Sequence, residues 1–174
     1  KHPHYEHGMK LLDTDKAASI LNQMRQRGGV VAFDYEATCL KPEYEGAEIV
    51  CASACWEGRR TIAFPWHGKA IEASRELLHS DCQFIASNLK FEDRWTRKFL
   101  GKPVRHWAWD TMLAAHAIDN REGITGLKFQ SFVLFGTKDY DSHIESYKKS
   151  KDKGGNSPNR MRELEPSVML EYCA

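Results

Sequence analysis

The 174-residue chain lacks several features that would place it outside the ordinary globular proteins. It has no apolar run near the roughly 20 residues that a membrane span needs, and its first residues lack the apolar segment of a signal peptide. It also lacks a surplus of either charge, since 25 Lys and Arg stand against 24 Asp and Glu, a net charge of +1. A general polycation is therefore excluded, and any nucleic-acid binding must come from a local site.

Paired cysteine motifs are also missing. The five cysteines form no Cys-x-x-Cys, and an odd number in a chain of this size favours reduced thiols, as in a cytosolic protein. Cys51 and Cys55 fall in a strand-like run, where we expect small core residues rather than metal ligands. With 41% hydrophobic residues the chain can bury one substantial core, so we predict a single domain over residues 1–174.

Hydrophobic periodicity predicts alternating helices and strands. The predicted helices are 9–27, capped by Thr14 or Asp15, then 69–79, 89–100, 111–118, 127–135 and a last helix from 165 onward. The predicted strands are 30–33, 49–55, 61–64, 82–86 and 107–109. This order predicts an α/β fold, with a mixed five-stranded sheet, an antiparallel hairpin at 49–64 and helices on both faces.

Residues 147–162 differ from the rest of the chain in charge. The segment has six basic residues and one acid, a local charge of +5, which leaves −4 on the remainder. Its basic residues are Lys148, Lys149, Lys151, Lys153, Arg160 and Arg162. The run Gly-Gly-Asn-Ser-Pro at 154–158 predicts a flexible loop. A solvated mobile loop and an arm that contacts phosphates are both compatible with this composition.

Two acidic segments stand out because of their positions. Asp34 and Glu36 follow the apolar strand 30–33, and residues two apart on a strand share a face. Two adjacent carboxylates repel each other unless cations balance them, and Mg²⁺ or Mn²⁺ prefers such oxygen ligands. Glu92 and Asp93 open the helix after the strand 82–86, where the helix dipole favours acids. Taken alone, this second segment is more typical of a helix cap with ordinary first-turn acids.

In combination and in this order, the segments resemble the proofreading 3′–5′ exonuclease domain of family A DNA polymerases. That domain belongs to the DnaQ-like (DEDD) superfamily, which has a ribonuclease-H-like fold. The matching stretches are Asp34-Tyr35-Glu36-Ala37-Thr38-Cys39-Leu40, Asn88-Leu89-Lys90-Phe91-Glu92, Asp110-Thr111-Met112-Leu113 and the third-motif start at Tyr172. The tyrosine, in place of a histidine pattern, assigns the Tyr subtype.

The chain departs from the family pattern at two positions. Glu92 stands where the family usually has Asp, while Asp93 lies about 100° further round the helix and should point elsewhere. We therefore predict Glu92 as the second-motif acid. The third-motif Asp would fall two residues after Ala174, so we expect the domain to be cut just before it.

The resemblance implies hydrolysis of phosphodiester bonds with two divalent ions, Mg²⁺ or Mn²⁺. Asp34 would bridge both ions, Glu36 would bind one and orient the attacking water, and Glu92 would serve the second. Tyr172 would hydrogen-bond that water. The residues implied to contact the nucleic acid are Thr38, Leu40 as a wedge at the terminal base, Asn88, Lys90 and, for stacking, Tyr140.

The predicted function is a 3′–5′ exonuclease that releases nucleoside monophosphates from single-stranded DNA ends, in proofreading or end trimming. The resemblance also implies a bacterial or bacteriophage protein of the cytoplasm, associated with the nucleoid, with a C-terminal polymerase domain in the parent protein as one option. A membrane partner is not expected. Two alternatives are an exoribonuclease of the ribonuclease D type and a nucleic-acid-binding module that has lost catalysis.

Overall fold

The computed structural model describes residues 10–57, 60–137, 140–150 and 157–174, except the side chains of Lys10 and Arg60. The strands are β1 (Lys10–Leu11), β2 (Val30–Ala37), β3 (Ile49–Trp56), β4 (Arg60–Pro65), β5 (Gln83–Ala86) and β6 (Trp107–Asp110). The helices are α1 (Thr14–Arg27), α2 (Lys69–Leu78), α3 (Leu89–Leu100), α4 (Thr111–Ile118), α5 (Leu127–Phe135), α6 (Glu145–Lys148) and α7 (Pro166–Cys173). None of these helices combines the length and the apolar character that crossing a bilayer requires.

The six strands form one mixed sheet in the order β1-β4-β3-β2-β5-β6. The neighbours β2, β3 and β4 are antiparallel, whereas the pairs β1–β4, β2–β5 and β5–β6 are parallel. All five predicted strands are present, and the two-residue β1 is an addition at one edge. The predicted α/β class, a mixed sheet with helices on both faces, is confirmed.

Two predicted boundaries are wrong at the start of the chain and in the central strand. The first helix begins at Thr14 rather than at residue 9, because the Asp13 side chain accepts the Lys16 N–H and caps it in place of Thr14 or Asp15. Strand β2 continues to Ala37 instead of ending at residue 33. Its second half alternates acids with buried residues, and pairing with β3 holds it extended.

The alternation along β2 gives the sheet two different faces. The face with Val31, Phe33 and Tyr35 packs in the main core, together with side chains from α1, α2 and α3. The opposite face carries Asp34 and Glu36, and we call it the site face. Cys51 of β3 lies in the smaller core that α7 covers there, as predicted for a buried free thiol, whereas Cys55 is partly exposed.

A single carboxylate, that of Asp110, joins the ends of β6, α3 and α4. Its Oδ1 accepts the Asn88 N–H at 3.0 Å and its Oδ2 accepts the Leu89 N–H at 2.9 Å, at the start of α3. As the cap of α4 it also accepts the N–H groups of Met112 and Leu113, at 2.9 and 3.2 Å. One buried acid therefore accepts hydrogen bonds from the backbone N–H groups that have no partner within the first turns of two helices. It also fixes where α3 begins relative to the sheet.

Replacing Asp110 with Ala should lower the free energy of unfolding by about 2–4 kcal/mol, because two helix caps are lost at once. Asp13→Ala is the matched control, since Asp13 caps one helix at an exposed position, and its loss should be smaller. Urea unfolding of the two variants measures both values. Equal losses would show that Asp110 acts on one helix only.

Candidate functional site

The two acids of β2 lie at the floor of a cleft of about 890 Å³ on the site face. Burial raises the pKa of Glu36 to about 8, the charge of Asp34 adds to this, and the nearby ammonium of Lys148 opposes it. Burial also raises the pKa of Asp34. Ionising both carboxyls therefore costs free energy in the metal-free protein, as the sequence predicts for two adjacent carboxylates that no cation balances.

The first turn of α3 brings a third carboxyl to this place. Glu92 is only 2% exposed, and its side chain lies within hydrogen-bonding range of Asp34. Burial and the charge of Asp34 raise the pKa of Glu92, and its Oε2 is buried without a hydrogen-bond partner among the described residues. An ordinary first-turn acid would be solvated, so that alternative does not describe Glu92.

The neighbouring Asp93 points away from the acids and has a structural task. Its carboxylate accepts the Val104 N–H and the Trp107 Nε1–H, both at 3.1 Å, and pairs with Arg97 at 2.6 Å. These contacts tie α3 to the segment that leads into β6. The structure thus places Glu92, and not Asp93, against Asp34, while the metal-binding role of Glu92 stays a prediction.

Two aromatic residues form the opposite wall of the cleft. The rings of Tyr140 and Tyr172 stack with centroids 6.3 Å apart at an interplanar angle of 28°. Burial and the charge of Glu36 raise the pKa of Tyr172 to about 12, although Lys148 opposes the shift. The Tyr172 hydroxyl therefore stays protonated at neutral pH and can donate a hydrogen bond.

The remaining predicted nucleic-acid contacts fall at different places around the acids. A second cleft of about 350 Å³ is lined by Thr38 and by Leu40, which is 66% exposed. Thr38 itself is buried, and its hydroxyl accepts the Glu48 N–H at 2.9 Å. Asn88 and Lys90 are exposed at the start of α3, where Asn88 has a left-handed backbone (φ 67°). Their binding roles stay predictions.

The described ends of the basic segment 147–162 are bonded to the fold. The Asn159 N–H donates to the Thr38 carbonyl at 2.6 Å, its side chain donates to the Ala37 carbonyl, and the Arg160 N–H donates to Tyr147. The predicted arm residues Lys151 and Lys153 lie outside the described residues. The ends of the segment therefore run along the carboxyl end of β2, beside the acids.

Sequence reasoning missed Asp110 and Asp141 as members of the site's framework. Asp110 was visible only as part of a motif, and no local pattern distinguishes Asp141 from a surface acid. In the structure Asp141 is buried and binds the ammonium groups of Lys128 and Lys148. Asp110 accepts from Asn88 and Leu89, which are 22 and 21 residues away, and Asp141 binds Lys128, which is 13 residues away. A local sequence pattern does not record such pairs.

The donor set suits a hard divalent cation, although it does not form a closed cage. The described residues include no group of three or more His, Cys, Asp or Glu arranged around one ion. The Asp34 and Glu92 side chains do lie close together, and Oε2 of Glu92 has no hydrogen-bond partner among the described residues. Mg²⁺ is commonly held by one or two carboxylates, with waters and substrate phosphates completing its shell. The pair of Asp34 and Glu92, with Glu36 beside it, fits that pattern.

The raised pKa values of the carboxyls predict that, in the absence of divalent ions, the folded protein becomes less stable as the pH rises. The folded protein binds these protons more tightly than the unfolded chain, so the stability is complete below the ordinary pKa of 4.5 and declines as the pH rises towards about 8. Thermal unfolding in EDTA should show a midpoint that falls between pH 5 and 8, and Mg²⁺ or Mn²⁺ should restore it. Glu36→Gln should make the decline shallower. A midpoint that rises over this range would contradict the assignment.

Comparison with known proteins identifies the fold. No protein-family model and no curated protein sequence matches the chain. Among solved structures, RNase D of Trypanosoma brucei aligns over 98% of this chain and 61% of its own, with 18% identity and a TM-score of 0.68. The catalytic core of RRP6 from the same organism aligns over 97% of this chain and 42% of its own, at 13% identity and a TM-score of 0.66.

A third similar structure is NrnC of Brucella melitensis with bound Mg²⁺. It aligns over 96% of this chain and 72% of its own, at 14% identity and a TM-score of 0.59. The chain thus spans less than two thirds of the RNase D and RRP6 structures. At these identities the likeness shows the fold alone, and it confirms the ribonuclease-H-like architecture that these nucleases share.

Proposed function

We propose that this chain is a metal-dependent 3′–5′ exonuclease domain that hydrolyses the terminal phosphodiester bond of a single-stranded nucleic acid. The observation that carries the proposal is the buried Glu92 carboxyl placed against Asp34, one oxygen of which has no hydrogen-bond partner among the described residues. Asp34 itself lines the cleft that also holds Glu36 and Tyr172. The fold shared with nucleases supports it. The proposed cofactors are two divalent ions, Mg²⁺ or Mn²⁺.

Four side chains of the candidate site have proposed tasks. Asp34 and Glu92 would hold the cations, which supply charge stabilisation to the attacking and leaving oxygens of the phosphodiester. Glu36 would bind one ion and orient the attacking water by accepting a hydrogen bond from it. The protonated hydroxyl of Tyr172 would donate a hydrogen bond to the same water. Loss of Asp34 or Glu92 would impair cation binding, whereas loss of Tyr172 would impair the orientation of the attacking water.

Single-stranded ends suit this cleft because their bases are free to stack. Aromatic rings bind unpaired bases without requiring a sequence, and the Tyr140–Tyr172 pair lies beside the acids. Exposed Leu40 lies at the second cleft, where a wedge beside the terminal base would be needed. The motif resemblance favours DNA and a proofreading task, which we retain as the first candidate.

RNA is the second candidate substrate, and a specific comparison favours it. The similar structures include an RNase D of Trypanosoma brucei in complex with RNA U12, which aligns over 78% of this chain at 16% identity. The Escherichia coli RNase D among them is described as an exoribonuclease. The binding-only alternative is less well supported, because a chain without catalysis has no need of the costly acid cluster.

Matched oligonucleotides test the proposal. DNA and RNA single strands of one sequence, labelled at the 5′ end, should shorten stepwise from the 3′ end in Mg²⁺ or Mn²⁺ and stay intact in EDTA. Faster shortening of the DNA strand supports the first candidate, and faster shortening of RNA supports the second. Binding of both strands without any hydrolysis, in the intact protein with either metal, would overturn the exonuclease and favour the binding module.

A further inference from the structure

One lysine of the basic segment reaches into the acid site. Lys148 ends α6, and its Nζ lies 2.7 Å from Asp141 and 5.1 Å from the centre of the Tyr172 ring. Partial burial lowers the pKa of Lys148, but hydrogen bonds to Asp141 and Tyr172 outweigh this, so the ammonium stays charged. Its charge is felt by Glu36 as well. Lys148 is therefore a cation placed among the catalytic groups.

The Asp141 carboxylate pairs with Lys148 and with a second lysine. The Asp141 side chain is 9% exposed, and its two oxygens accept from Lys128 at 2.5 Å and from Lys148 at 2.7 Å. One carboxylate is thus shared by two ammonium groups at this wall of the cleft. It also connects the start of α5 to the end of α6. Only the carboxylate is buried, since the Lys128 and Lys148 side chains are 52% and 36% exposed, so these pairs are weak evidence for a contribution to stability.

The position of Lys148 between the two clefts points to a ligand. Among the described residues, only Glu36 and Lys148 line both the larger cleft of about 890 Å³ and the smaller one of about 350 Å³. A strand whose last nucleotide lies at the acids and whose preceding nucleotide lies near Leu40 must pass between these two side chains. The group of the strand that an ammonium binds there is a phosphate.

We propose that Lys148 binds the backbone phosphate of the substrate where the strand passes from the smaller cleft to the acid site, and that Asp141 positions Lys148 for this contact. The inference rests on the proposed function and adds a binding residue and a positioning residue to it. The alternative is that Lys148 only packs against Tyr172 and does not contact the substrate. The two cases differ in the salt dependence of binding.

The test compares Lys148→Met with Lys148→Arg and with Lys149→Met. Lys149 is the matched control, because it is the next residue, is 72% exposed and pairs with Glu145. Binding of labelled oligo-dT and oligo-U is measured in EDTA, where hydrolysis is absent, from about 50 to about 200 mM salt. Each lost phosphate contact on a single strand should reduce the slope of log K against log salt by about 0.7.

Lys148→Met should weaken binding about tenfold and reduce that slope, as expected for the loss of one charged contact. Lys148→Arg should retain the slope, and Lys149→Met should behave as the wild type. Asp141→Asn should reduce the slope and kcat/KM less than Lys148→Met does, because the Lys148 ammonium remains but is no longer held at the phosphate. Wild-type binding and slope in Lys148→Met would overturn the phosphate contact, and unchanged kcat/KM in Asp141→Asn would overturn the positioning role.

The outcomes also separate this inference from the proposed function. If the wild-type protein shortens a strand but Lys148→Met equals it in binding and slope, only the Lys148 assignment fails. If the wild type neither binds nor shortens any strand, the proposed function itself fails. Thermal unfolding of Lys148→Met checks that the variant is folded. If it is not, Lys148→Gln, which also removes the charge, takes its place and should reduce the slope in the same way.

Discussion

Asp34→Asn is expected to reduce metal-dependent release of 3′ nucleotides by roughly a thousandfold or more, since the several kcal/mol that metal-ion stabilisation contributes depend on its carboxylate. Asn preserves the shape of Asp and removes the charge, so the strand β2 should be undisturbed. Release of mononucleotides from a single-stranded substrate, in the intact protein with Mg²⁺ or Mn²⁺, measures the effect.

A matched acid in the same cleft provides the control for Asp34. Glu171 lines the cleft from α7 but is exposed and has no proposed ligand role. Glu171→Gln should therefore retain nearly all of the activity under the same conditions. Hydrolysis that survives in Asp34→Asn at the rate of the Glu171 variant would mean that the metal assignment is wrong.

Glu92→Gln and Asp93→Asn are expected to give opposite results in activity and stability. Glu92→Gln should slow turnover strongly, since a proposed ligand is lost. It should also raise the stability of the metal-free protein by about 1 kcal/mol, or roughly 2–4 °C, because a buried carboxyl no longer faces Asp34. Turnover and thermal midpoints of both variants, measured in parallel, show the two effects.

Asp93→Asn should show the reverse pattern. Its carboxylate holds Arg97, Val104 and Trp107, and weakening these bonds should cost about 1–3 kcal/mol of the free energy of unfolding. Its turnover should stay near the wild-type value at temperatures where it is folded. If Asp93→Asn lost turnover and Glu92→Gln kept it, the second motif would be out of register by one residue.

The acids illustrate how far motif spacing reaches. The Asp34 and Glu36 pattern predicts one face of a strand, and β2 places both carboxyls on the site face. The choice of Glu92 over Asp93 also follows from helix geometry, because adjacent residues lie about 100° apart. Spacing could not predict that Glu92 would be buried against Asp34, with one oxygen that has no partner in the described part of the chain. That contact depends on how α3 is docked against β2.

The extent of β2 shows where periodicity misleads. Its first residues are apolar and its second half alternates, so the strand was expected to end at residue 33 although it continues to Ala37. Pairing with β3 stabilises the polar half, with Asp34 opposite Ser53 and Glu36 opposite Cys51. Asp and Glu have a low intrinsic preference for β-strands. The polar half of β2 is therefore extended because it pairs with β3.

By itself, the sequence predicted most of the helices and strands in their order, the α/β class and the acids of the candidate site. These features are local, because the periodicity of apolar residues and the spacing of motif residues can be seen in short stretches of sequence. The tertiary structure alone decided that Asp110 caps two helices and that Asp141 holds Lys128 and Lys148 beside Tyr172. Apart from the local cap of α4, these contacts join residues 7 to 22 positions apart. Periodicity predicts that a residue is buried but not which group it contacts.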